Sequence, residues 1–114
     1  MTGCIFCQIA EGTRPAGICY EDEECLAFQD IHPKAPVHIL VIPRRHIMSL
    51  NEAREGDEAL LGRLMTVAAR VAREKGIDRA GFRTVINTNA EAGQSVFHLH
   101  VHVLGGRPLK WPPG

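Results

Sequence analysis

The chain has 114 residues, with 13 basic and 13 acidic side chains and a formal net charge of zero. That length fits one domain over residues 1–114 with a modest core, and the neutrality argues against a generally basic nucleic-acid binder. No apolar run approaches membrane-spanning length, and the N-terminus carries neither a basic segment nor an apolar signal core, so the cytoplasm is the expected location.

Residues 4–10 read as a short helix that ends near Gly12, with Pro15 beyond it. Cys4 and Cys7 form a C-x-x-C pair, which signifies a metal site, a redox pair or coincidence. A thioredoxin-like role needs such a pair after a buried strand, and this pair lies near the chain start. Residues 18–21 and 25–29 read as two strands, joined as a hairpin by the acidic turn Asp22-Glu23-Glu24. Cys19 and Cys25 fall in apolar, strand-like surroundings and read as small buried hydrophobes.

Residues 30–36 carry two prolines and form a loop. A third strand covers 37–42 and is stopped by Pro43. Arg44 and Arg45 follow it and read as solvated surface charge. Ser49 and Glu52 have capping-box spacing. The main helix is expected over 57–75, with Leu60, Leu64, Val67, Ala68, Val71 and Ala72 as its buried face and Gly76 as C-cap. A fourth strand covers 83–87, and 88–95 is a polar loop containing glycine.

The fifth strand, 98–104, carries His98, His100 and His102 at alternate positions, with Leu99, Val101 and Val103 between them. Alternation puts the histidines on one face. Neighbours on that face lie about 6.5–7 Å apart, so two of them can converge on one ion. The outer two lie about 13 Å apart, so at least one histidine has another job. Hairpins with one long helix specify an α+β domain with a five-stranded antiparallel sheet. The long helix covers one face, leaving the histidines on the other side or in an edge cleft. Gly93, Gln94 and Ser95 lie just upstream and can wrap donors around a phosphate, with Asn87 ending the neighbouring strand.

These residues carry a family resemblance. Val85-Ile86-Asn87, Gly93-Gln94-Ser95-Val96, the three histidines, Leu104-Gly105-Gly106-Arg107 and Trp111-Pro112-Pro113-Gly114 resemble the histidine triad (HIT) superfamily, and its Hint branch most closely. Ile5-Phe6, Phe28-Gln29-Asp30-Ile31, Pro33-Lys34-Ala35-Pro36 and the segment from His38 to Pro43 extend the resemblance over nearly the whole chain. It implies a homodimer whose sheets join into one. It also implies a purine nucleoside phosphoramidase that cleaves P–N bonds of nucleoside 5′-phosphoramidates or aminoacyl adenylates, with no catalytic metal.

Residue by residue, His100 matches the nucleophile that forms a nucleotidyl-histidine intermediate, and His102 matches a phosphate contact. Ser95 matches a donor near the leaving amine, and His38 a residue supporting the nucleophile. Asn87, Gln94 and the Ser95 backbone match the groups that hold the non-bridging oxygens. Asp30 matches the carboxylate that accepts from ribose hydroxyls, while Phe6, Phe28 and Ile31 match an apolar purine slot. His32 replaces a small polar residue common in this branch and receives no role. In several bacterial members the cysteine pair binds a structural zinc with two histidines, and the matching set here is Cys4, Cys7, His46 and His98. A Fhit-like dinucleoside polyphosphate hydrolase and a nucleotide-binding regulatory protein are the alternative readings.

Overall fold

The computed structural model describes residues 3–114. Five strands form one antiparallel sheet: β1 (Ile18–Glu21), β2 (Cys25–Gln29), β3 (Val37–Pro43), β4 (Phe82–Val85) and β5 (Val101–Gly105), in the spatial order β1-β2-β3-β5-β4. The expected α+β class and strand count hold. Among the described residues no helix is long and apolar enough to cross a membrane.

A helix packs on each face. The long one, α2 (Glu58–Glu74), buries Leu64, Val67, Ala68, Val71 and Ala72 against Ile39, Val41, Val101 and Val103. The short one, α1 (Ile5–Glu11), buries Phe6 and Ile9 against Leu26, Phe28, Leu40 and Ile42. Central β3 is therefore covered on both sides, and for that reason its sequence is a continuous apolar run rather than an alternating one. The polar face expected for the histidines is a cleft beside α1.

Cys4 N-caps α1, its sulfur accepting the Cys7 N–H, and Gly12 takes the left-handed conformation at the C-terminus, φ +82°. Arg44 is structural and not a solvated charge: it donates to the Ala10 carbonyl at the end of α1 (2.8 Å) and to the Asp22 carbonyl in the β1–β2 turn (2.7 Å). Pro43 is the last residue of β3 rather than the residue beyond it. β4 ends at Val85, two residues earlier than its pattern suggests.

The larger difference is at β5. Strand pairing begins only at Val101, so His98 and His100 precede the strand. Leu99 N–H instead donates to the Ile47 carbonyl at 2.6 Å. This turns the His98 segment toward the chain just after β3, away from the neighbouring strand ladder. At its other end β5 stops at Gly105, where a Cβ would lie 2.7 Å from the Ile77 side chain.

Candidate active site and metal centre

Backbone groups fix the protonation of three histidines directly and of a fourth through one of them, because a carbonyl can only accept and an N–H can only donate. His100 Nδ1 lies 2.7 Å from the His98 carbonyl and must donate to it. A neutral ring then has its lone pair on Nε2. Burial lowers the His100 pKa and so keeps the ring neutral. Phe6 meets it edge-on at 5.2 Å, and the His102 ring lies 4.9 Å away.

His38 runs the opposite way. Its Nδ1 accepts the Lys34 backbone N–H at 3.0 Å, so its proton is on Nε2. That Nε2 lies 2.9 Å from His102 Nδ1 and 3.4 Å from Asp30 Oδ2, and it donates into this pair of acceptors. His102 Nδ1 is then an acceptor, and the neutral His102 ring carries its proton on Nε2. Burial, helped by His100 and His38, drives the His102 pKa down to about 4. Burial also lowers His38, against an opposing pull from Asp30. The outcome is a neutral relay that leaves a lone pair on His100 Nε2 and a donor on His102 Nε2.

His98 belongs to a separate cluster. Its Nε2 donates to the Pro43 carbonyl at 2.8 Å, so Nδ1 holds the lone pair. Nδ1 lies 3.4 Å from Cys4 Sγ, 3.5 Å from Cys7 Sγ and 3.2 Å from His46 Nδ1, and Cys7 Sγ is 3.3 Å from His46 Nδ1. A tetrahedral zinc with ordinary bond lengths gives S···N edges of about 3.5 Å and N···N edges of about 3.3 Å. The four donors thus fit a zinc ion in size and chemistry. Burial and the adjacent Cys4 push the Cys7 thiol up, and a cation would reverse that. The helical i, i+3 spacing turns both sulfurs toward the same point.

The loop 88–95 closes the cleft, and two of its expected phosphate ligands divide. Asn87 and Ser95 line a cleft with His102, and neither side chain makes a hydrogen bond among the described residues. Gln94 is buried and committed elsewhere. Its amide donates to the Met48 carbonyl (2.8 Å) and the Val96 carbonyl (3.1 Å), and its Oε1 accepts the Asn89 N–H (2.8 Å). Both amide hydrogens are engaged, so the side chain holds the loop. Asn89 supports the same turn with φ +67°, a conformation asparagine tolerates better than most residues.

A second cleft, of about 390 Å³, is lined by Phe6, Phe28, Ile31, Leu40, Asp30 and His100. Phe6 and Phe28 serve both core and cleft, since their rings pack edge-to-face at 5.3 Å with only their rims open. Ile31 is 84% exposed and belongs to the cleft mouth alone. Asp30 Oδ1 accepts the His32 N–H at 2.8 Å. The sequence reading missed the Lys34 N–H and the Pro43 carbonyl, which set two histidine tautomers. Backbone groups carry no residue-type signal, so the sequence alone did not reveal them.

A family model described as the HIT domain matches residues 11–109. The chain is 54% identical over 110 residues to an uncharacterised HIT-like protein of Synechocystis, covering 96% of each. Its fold is similar to that of a HIT family hydrolase from Legionella pneumophila, at TM-score 0.97 and 45% identity, covering 98% of this chain and 100% of that one. It is also similar to a zinc-bound histidine triad family protein from Mycobacterium smegmatis, at TM-score 0.79 and 38% identity, covering 93% and 76%.

Proposed function

The chain belongs to the HIT domain family, and from that premise we propose that it hydrolyses purine nucleoside 5′-phosphoramidates, with His100 as nucleophile. The observation that carries this reading is the tautomer of His100. The carbonyl of His98 holds its Nδ1–H, leaving a neutral Nε2 lone pair in a cleft with free polar groups. The solved relatives described as hydrolases support the reaction class.

In the first half, His100 Nε2 forms a bond to the α-phosphorus. The phosphorus–nitrogen bond of the substrate breaks, its electron pair leaves on the amine, and the amine takes a proton relayed from solvent across the Ser95 hydroxyl. His102 Nε2–H, Asn87 and the Ser95 hydroxyl face the non-bridging oxygens as their charge develops. In the second half, water adds its oxygen to phosphorus, and the pair returns to His100 Nε2. The proton lost by water replaces the one taken up by the amine. Asp30 accepts from the ribose, and the purine enters between the rims of Phe6 and Phe28 with Ile31 above.

A zinc ion at Cys4, Cys7, His46 and His98 would supply a closed structural cross-link between α1, the end of β3 and the His98 segment. It takes part in no chemical step. A homodimer that continues the sheet across one of its free edges belongs to the same proposal, as does a cytoplasmic location.

The test is hydrolysis of a fluorogenic adenosine 5′-phosphoramidate by wild type and His100→Ala, with EDTA in both assays. Turnover that survives EDTA and disappears in the variant is the expected result. Wild-type protein that binds AMP without turnover, or that cleaves only diadenosine triphosphate, refutes it.

A further inference from the structure

The relay that ends at His102 begins outside the two clefts of the site. Arg107, in the turn just after β5, lines neither of them. It lines a third cleft, of about 230 Å³, with Arg83, Phe82 and Pro108. Its Nη2 donates to the Lys34 carbonyl at 2.8 Å. The Lys34 N–H in turn donates to His38 Nδ1 at 3.0 Å, and His38 Nε2 lies 2.9 Å from His102 Nδ1. Each link from an exposed guanidinium to the buried relay is a hydrogen bond of ordinary length.

The loop between β2 and β3 needs such a hold. Lys34 lies outside the strand ladder, and its ammonium bonds within the loop, to the His32 carbonyl at 3.0 Å. The turn after β5 supports this loop at two points. Gly106 packs on Pro36 so closely that a Cβ would lie 2.8 Å from the proline side chain, and its φ of +93° suits glycine as well. Next to it, the Arg107 guanidinium caps the Lys34 carbonyl. Arg107 Nη1 donates to the Pro108 carbonyl at 3.1 Å, so both of these bonds go to backbone. The side chain therefore ties the end of β5 to the residue whose N–H sets the His38 tautomer.

We propose that Arg107 is a positioning residue for the relay: by holding the Lys34 carbonyl it keeps the Lys34 N–H on His38 Nδ1, and so fixes the nitrogen from which His38 donates to His102. The inference rests on the reading that the relay serves phosphoryl transfer at His100. A donor facing Nδ1 opposes a proton there. The charged and titratable groups around His38 are Asp30, His32 and Lys34 of the loop, His102 of β5, and Arg83 of β4 on the far side of Leu104. With the Lys34 N–H released, His38 takes a second proton on Nδ1 and turns its Nε2–H to the Asp30 carboxylate. His102 Nδ1 then loses its donor, and the ring is free to change tautomer.

The experiment compares wild type, Arg107→Met, Arg107→Lys and Arg83→Met by nitrogen NMR of the histidine rings and by the pH dependence of adenosine 5′-phosphoramidate hydrolysis. Wild type is expected to show a neutral His38 with its proton on Nε2. Arg107→Met keeps the apolar stem and removes the donors. At about pH 6 its His38 should be partly doubly protonated and its kcat about fivefold lower, the effect of one hydrogen bond. Its acid limb should move up toward the ordinary histidine value, with KM nearly unchanged because Arg107 touches no substrate. Arg107→Lys should restore most of the loss, since an ammonium can donate to the same carbonyl. Arg83→Met removes a charge from the same outer cleft without touching the loop, and should keep the wild-type spectrum and acid limb. A wild-type His38 with its proton on Nδ1 overturns the proposal. So does an Arg107→Met protein whose His38 spectrum and acid limb match wild type, even at a lower Tm, because Arg107 then only fastens the chain after β5. An equal movement of the acid limb in Arg83→Met also overturns it, since the effect is then one of general charge. If wild type does not turn over the phosphoramidate, the phosphoramidase reading falls, and the ring spectra alone decide for or against the clamp.

Discussion

Cys4, Cys7, His46 and His98 form one cluster of metal-binding composition, and Asp30, His38 and His102 form another, each with its donor atoms within 4.8 Å of one another. They differ in where their protons are held. At His98 the Pro43 carbonyl takes the proton on Nε2 and turns the Nδ1 lone pair into a nest of sulfurs and imidazole. At His38 the Lys34 N–H occupies Nδ1, so Nε2 presents a proton to His102 and Asp30. A cation in the second cluster would force that proton onto Nδ1, where it would oppose the Lys34 N–H. One backbone donor thus separates a proton relay from a metal site.

Removing the nucleophile is the harshest way to break this contrast. His100→Ala is expected to lower turnover by about 10³-fold or more while AMP still binds. Single-turnover kinetics and calorimetric titration separate the two effects. Turnover within tenfold of wild type would show that His100 is not the attacking group.

Disturbing the other cluster should act on stability first. In Cys7→Ser, zinc measured by elemental analysis is expected to fall below stoichiometry and Tm to drop by about 10 °C. The His98 carbonyl links the two clusters, so some loss of kcat follows, expected to stay within about tenfold. His102→Asn should show the reverse pattern, with full zinc and poor turnover. An unchanged Tm in Cys7→Ser, with no zinc in wild type, would leave the cluster as free thiols.

The relay also sets a pH response. His38, His100 and His102 all have folded pKa values below the ordinary 6.5, with His102 at about 4. Between those limits the unfolded chain binds more protons than the folded one, so stability rises with pH and is lost as pH falls from 6.5 toward 4. Tm is expected to fall by about 5–8 °C from pH 7 to pH 4.5. The acid limb of kcat/KM should lie below the ordinary histidine value, because burial lowers all three rings and holds them neutral there. An acid limb at the ordinary histidine value would show that the rings are not held neutral.

The sheet, α2 and the residue types of both clusters were legible because each has a periodic or chemical signature. β1 and β2 have the residue ranges expected from the hairpin pattern. The long helix differs by one residue at each end, Glu58–Glu74 against 57–75. Less was legible where a tertiary contact overrides the local pattern. The alternation from His98 to Val103 resembles one strand, yet Leu99 pairs with Ile47 and releases His98 from the ladder. Arg44 looks like surface charge until its partners, the Ala10 and Asp22 carbonyls, are brought to it by folding. Gln94 stands where a phosphate ligand belongs, and nothing in its own residue type distinguishes a ligand from a loop clamp.

Gln94 supplies the smallest and most discriminating test. If its amide clamps the loop, Gln94→Ala leaves the Met48 and Val96 carbonyls and the Asn89 N–H without their partner, at a cost of about 1 kcal/mol. Urea unfolding would show that loss as a lower midpoint at constant slope. KM would rise modestly as Asn87 and Ser95 lose their fixed spacing, and kcat would change little. If the amide instead holds a phosphate oxygen in the transition state, unfolding would be unaffected and kcat would fall with KM nearly constant. The two outcomes differ in which measurement moves, so one variant assigns the residue either to the scaffold of the cleft or to its chemistry.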